Sequence, residues 1–185
     1  HTKKVIQIIL EHNFMEGTMP SELGLFTSLE SISLYSNSIR GTVPSEIGSL
    51  TNLFWIDFTA NSLKGTIPGE MYNQMSSLVH IGIAGNRMTG TIATEIGQLS
   101  NLENFLIDAN QFTGTIPTEL GNCRNLTFLN LLDNSLRGTL PSEMANLSPE
   151  KIEASNLDMG QLPDWLYSLT TLRTSMGTCL ASLCV

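Results

Sequence analysis

The sequence predicts an α/β solenoid, a stack of coils in which each contributes a short parallel strand, a corner, a flank and a helical turn. Three observations predict it. Six asparagines, Asn13, Asn37, Asn61, Asn86, Asn110 and Asn134, recur at intervals of 24, 24, 25, 24 and 24 residues. Apolar residues precede each at fixed offsets, as Leu53, Ile56 and Phe58 precede Asn61. Four residues after each Asn comes a Gly, then Thr, an apolar residue and Pro, with Ala93 replacing Pro in the fourth copy.

Each element follows from a position in the repeat. The last two apolar residues before the Asn alternate with polar ones at the strand period, so one side is buried and the other exposed. A unit this small cannot bury its apolar side alone, and a fixed period in the twenties means that copies stack. At the corner, a side-chain amide can satisfy both the backbone donors and the acceptors that water cannot reach, so the six Asn residues are expected to form a ladder. Gly then permits close backbone approach, and Pro, lacking an N–H, ends the flank strand and starts the helical turn. The Glu that follows (Glu22, Glu46, Glu70, Glu95, Glu119, Glu143) lies in the first turn, where a negative charge is favourable. The extra residue of the third copy falls near Tyr72 to Met75, in the outer segment, where length changes are tolerated.

The run LxxLxLxxNxLxGxIPxxLGxL, as in LTNLFWIDFTANSLKGTIPGEM and LTFLNLLDNSLRGTLPSEM, resembles the plant-type leucine-rich repeat of receptor-kinase ectodomains, polygalacturonase inhibitors and related algal proteins. The resemblance implies a right-handed solenoid with a parallel sheet on the concave face and short flank strands. Short or 3-10 helical turns then lie on the convex side. Residues 1–185 are read as one domain, with six regular repeats over roughly 3–147 and a degenerate last repeat and C-terminal cap over roughly 148–185. In that last copy Asn156, Gly160 and Pro163 keep the offsets, whereas Lys151 and Glu153 fall where buried apolar residues belong. At the other end VIQIILEHN is already a complete strand copy without a Cys-bearing cap, so further chain is expected before residue 1. An extracellular or cell-surface setting is implied as well.

Composition narrows the partners. With 9 Lys plus Arg against 17 Asp plus Glu, the net charge of -8 opposes attraction to nucleic acid or an anionic membrane. No apolar run approaches the ~18 residues of a membrane span. Cys179 and Cys184 sit close enough in sequence to pair, and Cys123 is expected to be a free thiol at a small buried position. Asn125 and Asn146 begin sequons, N-L-T and N-L-S, in segments that can carry a glycan.

Function is sought in the outward strand residues. Six residues before each ladder Asn stand Gln7, Ser31, Trp55, His80, Asn104 and Phe128. Four before stand Ile9, Ser33, Asp57, Gly82, Leu106 and Asn130, and two before stand Glu11, Tyr35, Thr59, Ala84, Asp108 and Leu132. The strand period places Tyr35, Trp55, His80 and Phe128 in solvent, and none of these columns holds a Lys or Arg. The expected site is therefore Tyr35, Trp55, Asp57, His80, Asn104, Asp108, Phe128 and Asn130, a groove for a neutral or basic protein or peptide. Single exposed aromatics are also ordinary on protein surfaces, so the columns alone leave both readings open.

A second surface is the Thr column of Thr18, Thr42, Thr66, Thr91, Thr115 and Thr139, which coil stacking is expected to set in a row. Regular Thr arrays on solenoids can bind ice, and some plant repeat proteins of this type do so. Only Thr89 with Thr91 and Thr113 with Thr115 make a TxT pair, because Glu16, Arg40, Lys64 and Arg137 occupy the other flanking positions. A secreted inhibitor of a glycan-degrading enzyme is a further alternative from the resemblance. Catalysis finds little support: His80 is expected to be satisfied or solvent-facing, no nucleophile, acid/base pair or metal-ligand spacing recurs beside it, and no cofactor is implied.

Overall fold

The computed structural model describes residues 4–147 and 149–155, together with Leu157 and Trp165. The strand in each coil is three residues long, with its middle residue turned inward. These strands are β1 (Gln7–Ile9), β3 (Ser31–Ser33), β5 (Trp55–Asp57), β7 (His80–Gly82), β9 (Asn104–Leu106), β11 (Phe128–Asn130) and β13 (Lys151–Glu153). They form one seven-stranded parallel sheet in chain order. Ile32, Ile56, Ile81, Phe105 and Leu129, the middle residues of β3 to β11, are fully buried and line one continuous apolar core.

A second parallel sheet of six strands runs along the flank: β2 (Glu16–Thr18), β4 (Ser38–Gly41), β6 (Ser62–Gly65), β8 (Arg87–Thr91), β10 (Gln111–Thr115) and β12 (Ser135–Arg137). Five 3-10 turns then close the coils, at Ser21–Leu25, Ser45–Ser49, Thr94–Gln98, Thr118–Asn122 and Ser142–Asn146. The third coil closes with α1 (Gly69–Gln74) instead, and this is where its extra residue sits.

The residue after the core Met71 explains the change of helix type. In four of the other coils that position is Gly24, Gly48, Gly97 or Gly121, and in the sixth it is exposed Ala145; a Cβ added to Gly24, Gly97 or Gly121 would come within 2.5–2.6 Å of the next coil's Glu carbonyl oxygen. The third coil carries Tyr72 there, fully buried, so the turn widens by a residue to admit the ring. Its hydroxyl has no hydrogen-bond partner. Burial, with a smaller contribution from Glu95, pushes the phenol pKa further up.

The corner is held as the repeat implies. Asn86 Oδ1 accepts the Leu63 N–H of the preceding coil at 2.9 Å. Its Nδ2 donates to Phe58 O of that coil and to Ile83 O and Ala84 O of its own. Asn37, Asn61, Asn110 and Asn134 repeat the arrangement. Asn13 is exposed, and its side chain donates only to Glu11 O. The residue before each ladder Asn (His12, Ser36, Ala60, Gly85, Ala109, Asp133) takes left-handed φ, between 51° and 62°. For the non-glycines that conformation costs roughly 1–2 kcal/mol each, and the amide bonds hold it in place.

Two expectations are corrected by the register. Phe128 pairs with Lys151 and Asn130 with Glu153, so β13 enters the sheet one residue later in the chain than an alignment on Asn156 places it, which would set Glu150 beside Phe128. Alternation decides this, because the observed register turns Ile152 into the core, whereas a one-residue shift would turn Lys151 and Glu153 inward. Asn156, Gly160, Pro163, Cys179 and Cys184 lie outside the described residues. In the flank sheet, Thr18 pairs with Arg40, Thr91 with Thr113 and Thr115 with Arg137. The flank strands are therefore staggered by two residues relative to the repeat, and the Thr column crosses them obliquely instead of forming a row of like neighbours.

Replacing Asn86 with Ala leaves one buried N–H and several carbonyls without a partner, each worth about 1–3 kcal/mol. Urea unfolding of Asn86→Ala should show a loss of at least about 2 kcal/mol, and Asn13→Ala a loss well under that. Tyr72→Phe removes a buried hydroxyl that bonds to nothing, so its unfolding midpoint should rise, by up to about 1 kcal/mol of stability.

Candidate ligand-binding face

The seven-stranded sheet sets equivalent residues of successive coils side by side. Its first outward column reads Gln7, Ser31, Trp55, His80, Asn104, Phe128 and Lys151, in register throughout. The second reads Ile9, Ser33, Asp57, Gly82, Leu106, Asn130 and Glu153. Adjacent strands lie about 4.8 Å apart, so large side chains in a column must touch.

Trp55 and His80 do so. Their rings stack with centroids 3.8 Å apart and planes 5° from parallel. Trp55 stays 37% exposed, but His80 is only 6% exposed, so the expectation that strand alternation leaves His80 in solvent does not hold. Alternation fixes the direction of the side chain, while the neighbouring indole covers it. Both imidazole nitrogens are buried without a partner, so His80 is not satisfied either. Burial lowers its pKa below 6.5, and the Asp57 carboxylate opposes that shift without reversing it.

The remaining residues are held by local contacts. Asp57 Oδ1 accepts the Thr59 N–H at 2.9 Å, and Asn130 Oδ1 accepts the Leu132 N–H at 3.2 Å, the same side-chain turn at equivalent positions of two coils. Tyr35 is half-buried and meets His12 edge-on at 4.9 Å. Asn104 is half-buried between His80 and Phe128. At the last strand Lys151 lies 4.8 Å over the Phe128 ring and 2.9 Å from Glu153. A cation therefore does enter these columns, and alignment on Asn156 misses it because it sets β13 one residue early. Half-buried Asp108 has its carboxyl pKa raised mainly by burial. A backbone hydrogen bond opposes that rise, and Glu153 and Asp133 add to it.

On the flank, Thr18, Thr42, Thr66, Thr91, Thr113, Thr115 and Thr139 are exposed and Thr89 is half-buried. The methyls of Thr18, Thr42, Thr66, Thr91 and Thr115 pack on the next coil's glycine: a Cβ at Gly90, whose φ is 90°, would sit 2.7 Å from Thr66 Cγ2. Cys123 is a buried free thiol whose pKa is pushed up to about 11, so it is protonated at neutral pH. Asn125 and Asn146 are exposed. Among the described residues no group of three His, Cys, Asp or Glu residues could hold a metal, and no helix is long and apolar enough to cross a membrane.

The family model for the Leucine Rich Repeat matches residues 28–50, 101–123 and 125–147. Superposition on solved structures extends the likeness to nearly the whole stack. The ectodomain of the Arabidopsis thaliana receptor kinase GASSHO1/SCHENGEN3, in complex with CASPARIAN STRIP INTEGRITY FACTOR 2, is 28% identical over 90% of this chain, with a TM-score of 0.81. The fold is that of a leucine-rich-repeat solenoid. The plant peptide hormone receptor RGFR1 in complex with RGF2 is also 28% identical, over 92% of the chain, with a TM-score of 0.81. A plant ice-binding protein is 26% identical over 83%, with a TM-score of 0.73. The leucine-rich-repeat chain spans 20% and 28% of the two receptor ectodomains and 48% of the ice-binding protein. None of the curated protein sequences matches it.

The buried imidazole gives the face a pH-dependent component. Because the folded pKa of His80 is depressed, the stability held by its neutral form is present above pH 6.5 and lost as pH falls through the folded value. His80 should titrate below pH 6.5 by NMR, and the stability difference between the wild type and His80→Gln should shift against the wild type over that acid range.

Proposed function

We propose that the chain is a recognition module that binds a protein or peptide, neutral or basic, along its concave sheet, in an extracellular or cell-surface setting. The observation that carries this reading is the outward column in which half-exposed Trp55 stacks on His80 beside Asp57. A rigid aromatic amid small polar residues is the usual form of an interface anchor. The charge of the face supports a neutral or basic partner: Glu11, Asp57, Asp108 and Glu153 stand against Lys151, which already pairs with Glu153. Likeness to receptor ectodomains solved with their ligands points the same way. Recognition without catalysis is part of this reading, and a secreted enzyme inhibitor is one form of it. For a peptide selected from a displayed library for binding to the wild type, Trp55→Ala/Phe128→Ala should cost at least about tenfold in affinity with the fold intact. Full affinity in that double variant overturns the concave site.

A second reading rests on the exposed threonines together with the likeness to a plant ice-binding protein. The row Thr91–Thr113–Ser135 is uncharged, but Arg40, Lys64, Arg87 and Arg137 interrupt the rest of the flank sheet. Thermal hysteresis on the intact protein decides it: a nil reading removes ice binding, and a clear gap between melting and freezing establishes it.

A further inference from the structure

Three of the nine Lys and Arg residues of this acidic chain lie together on the flank sheet. Arg40 on β4 stands beside Ser62 on β6, and two residues further along β6 Lys64 stands beside Arg87 on β8. All three are exposed, and with Thr18, Ser38 and Ser62 they line an open groove of about 640 Å³. The strands that carry Lys64 and Arg87 are about 4.8 Å apart, and like charges set side by side there repel. No carboxylate relieves them. Among the described residues none of the three cations makes an ion pair or a side-chain hydrogen bond, and Glu16, at the β2 end of the groove, stands beside Ser38 instead. The groove therefore holds uncompensated positive charge on a protein whose net charge is -8.

We propose that Arg40, Lys64 and Arg87 form a second binding surface, independent of the concave sheet, for an extended acidic peptide segment whose carboxylates are two residues apart. Geometry selects that class of anion. The cations occupy two rows of the sheet, Arg40 in the row of Ser62 and Lys64 with Arg87 in the next outward row. Such rows are about 6.6 Å apart, which is also the separation of like-facing side chains along an extended peptide. A peptide laid parallel to the strands sets one carboxylate against Arg40 and the carboxylate two residues on against Lys64 and Arg87. The sideways step of one strand, about 4.8 Å, lies within the reach of the long Arg and Lys stems. The guanidinium forks of Arg40 and Arg87 match a carboxylate bidentately, and Lys64 adds a point charge. Thr18, Ser38 and Ser62 offer short hydroxyls to the peptide main chain. No aromatic or other large apolar side chain lines the groove, so a neutral sugar ring has nothing to stack on and an apolar peptide nothing to bury against. Glu16 closes the β2 end to further acidic residues.

The test uses three peptides of equal length: acetyl-Gly-Glu-Ser-Glu-Gly-amide, acetyl-Gly-Gln-Ser-Gln-Gly-amide, and acetyl-Gly-Glu-Glu-Ser-Gly-amide, which has the charge of the first with a different spacing. Binding to the full chain at about 20 mM salt, where surface charge is only weakly screened, is read from the Arg40, Lys64 and Arg87 amide resonances. The Glu-Ser-Glu peptide should bind about tenfold more tightly than Gln-Ser-Gln and about threefold more tightly than Glu-Glu-Ser. The triple variant Arg40→Gln/Lys64→Gln/Arg87→Gln should lose that preference. Because these side chains are exposed and repel one another, its unfolding midpoint should hold or rise. Arg124→Gln, at an exposed cation outside the groove, should leave the preference unchanged. Equal binding of Glu-Ser-Glu and Gln-Ser-Gln, no binding of Glu-Ser-Glu at about 10 mM, or a preference that survives the triple variant overturns the proposal. Equal binding of Glu-Glu-Ser overturns it too, as does tighter binding of a dextran sulfate tetrasaccharide at the same resonances, which would assign the groove to a saccharide.

Discussion

The structure depends on one side-chain amide used five times. Where each coil turns from the front sheet towards the flank, some backbone groups bond the neighbouring coil directly, but others lie inside the stack with neither water nor a backbone partner. Asn37, Asn61, Asn86, Asn110 and Asn134 meet that need from the next coil along, giving their carbonyl oxygen to one coil and their amide hydrogens to both. The same bonds hold the preceding residue left-handed, so the corner is locked in shape as well as satisfied. No shorter or charged side chain presents a donor and an acceptor at this reach, which is why the position does not vary among the copies.

With the corner fixed, the two sheets inherit different relations between coils. The front sheet pairs equivalent residues, so an aromatic at one outward position lies beside the equivalent residue of the next coil, as Trp55 does beside His80. The flank sheet pairs residues two positions apart, which sets Thr18 beside Arg40 and Thr115 beside Arg137. Variation in the front sheet therefore builds pockets from like positions, whereas on the flank it mixes two positions of the repeat.

Most of the scaffold was legible because each repeat position does a single physical job. The ladder, the inward residue of each strand, the turn after Pro and the placement of the extra residue all follow from period and residue type. The columns of the candidate face were legible for the same reason. What the sequence did not reveal depends on contacts between side chains. The burial of His80 comes from the width of the Trp55 ring relative to the strand spacing, and a column of letters does not carry that distance. The presence of Lys151 in the face comes from a last repeat one residue short, where Ile152 and Asn156 imply different registers and burial favours Ile152. The obliquity of the threonines comes from a hydrogen-bond stagger that leaves no trace in the spacing of the repeat.

That stagger limits what gradual change can make of the flank. Since the paired threonines face the residue two places earlier in the following coil, enriching one position with hydroxyls does not by itself yield a uniform surface, and two positions must change in step across neighbouring coils. Thr91 and Thr113 meet that condition in a single pair of strands, and extending the patch towards the start of the chain means losing Arg40, Lys64 and Arg87 together. A route of single substitutions passes through surfaces that are neither flat nor uncharged. The front sheet has no such barrier, because any one residue there can change its own pocket without a matching change elsewhere.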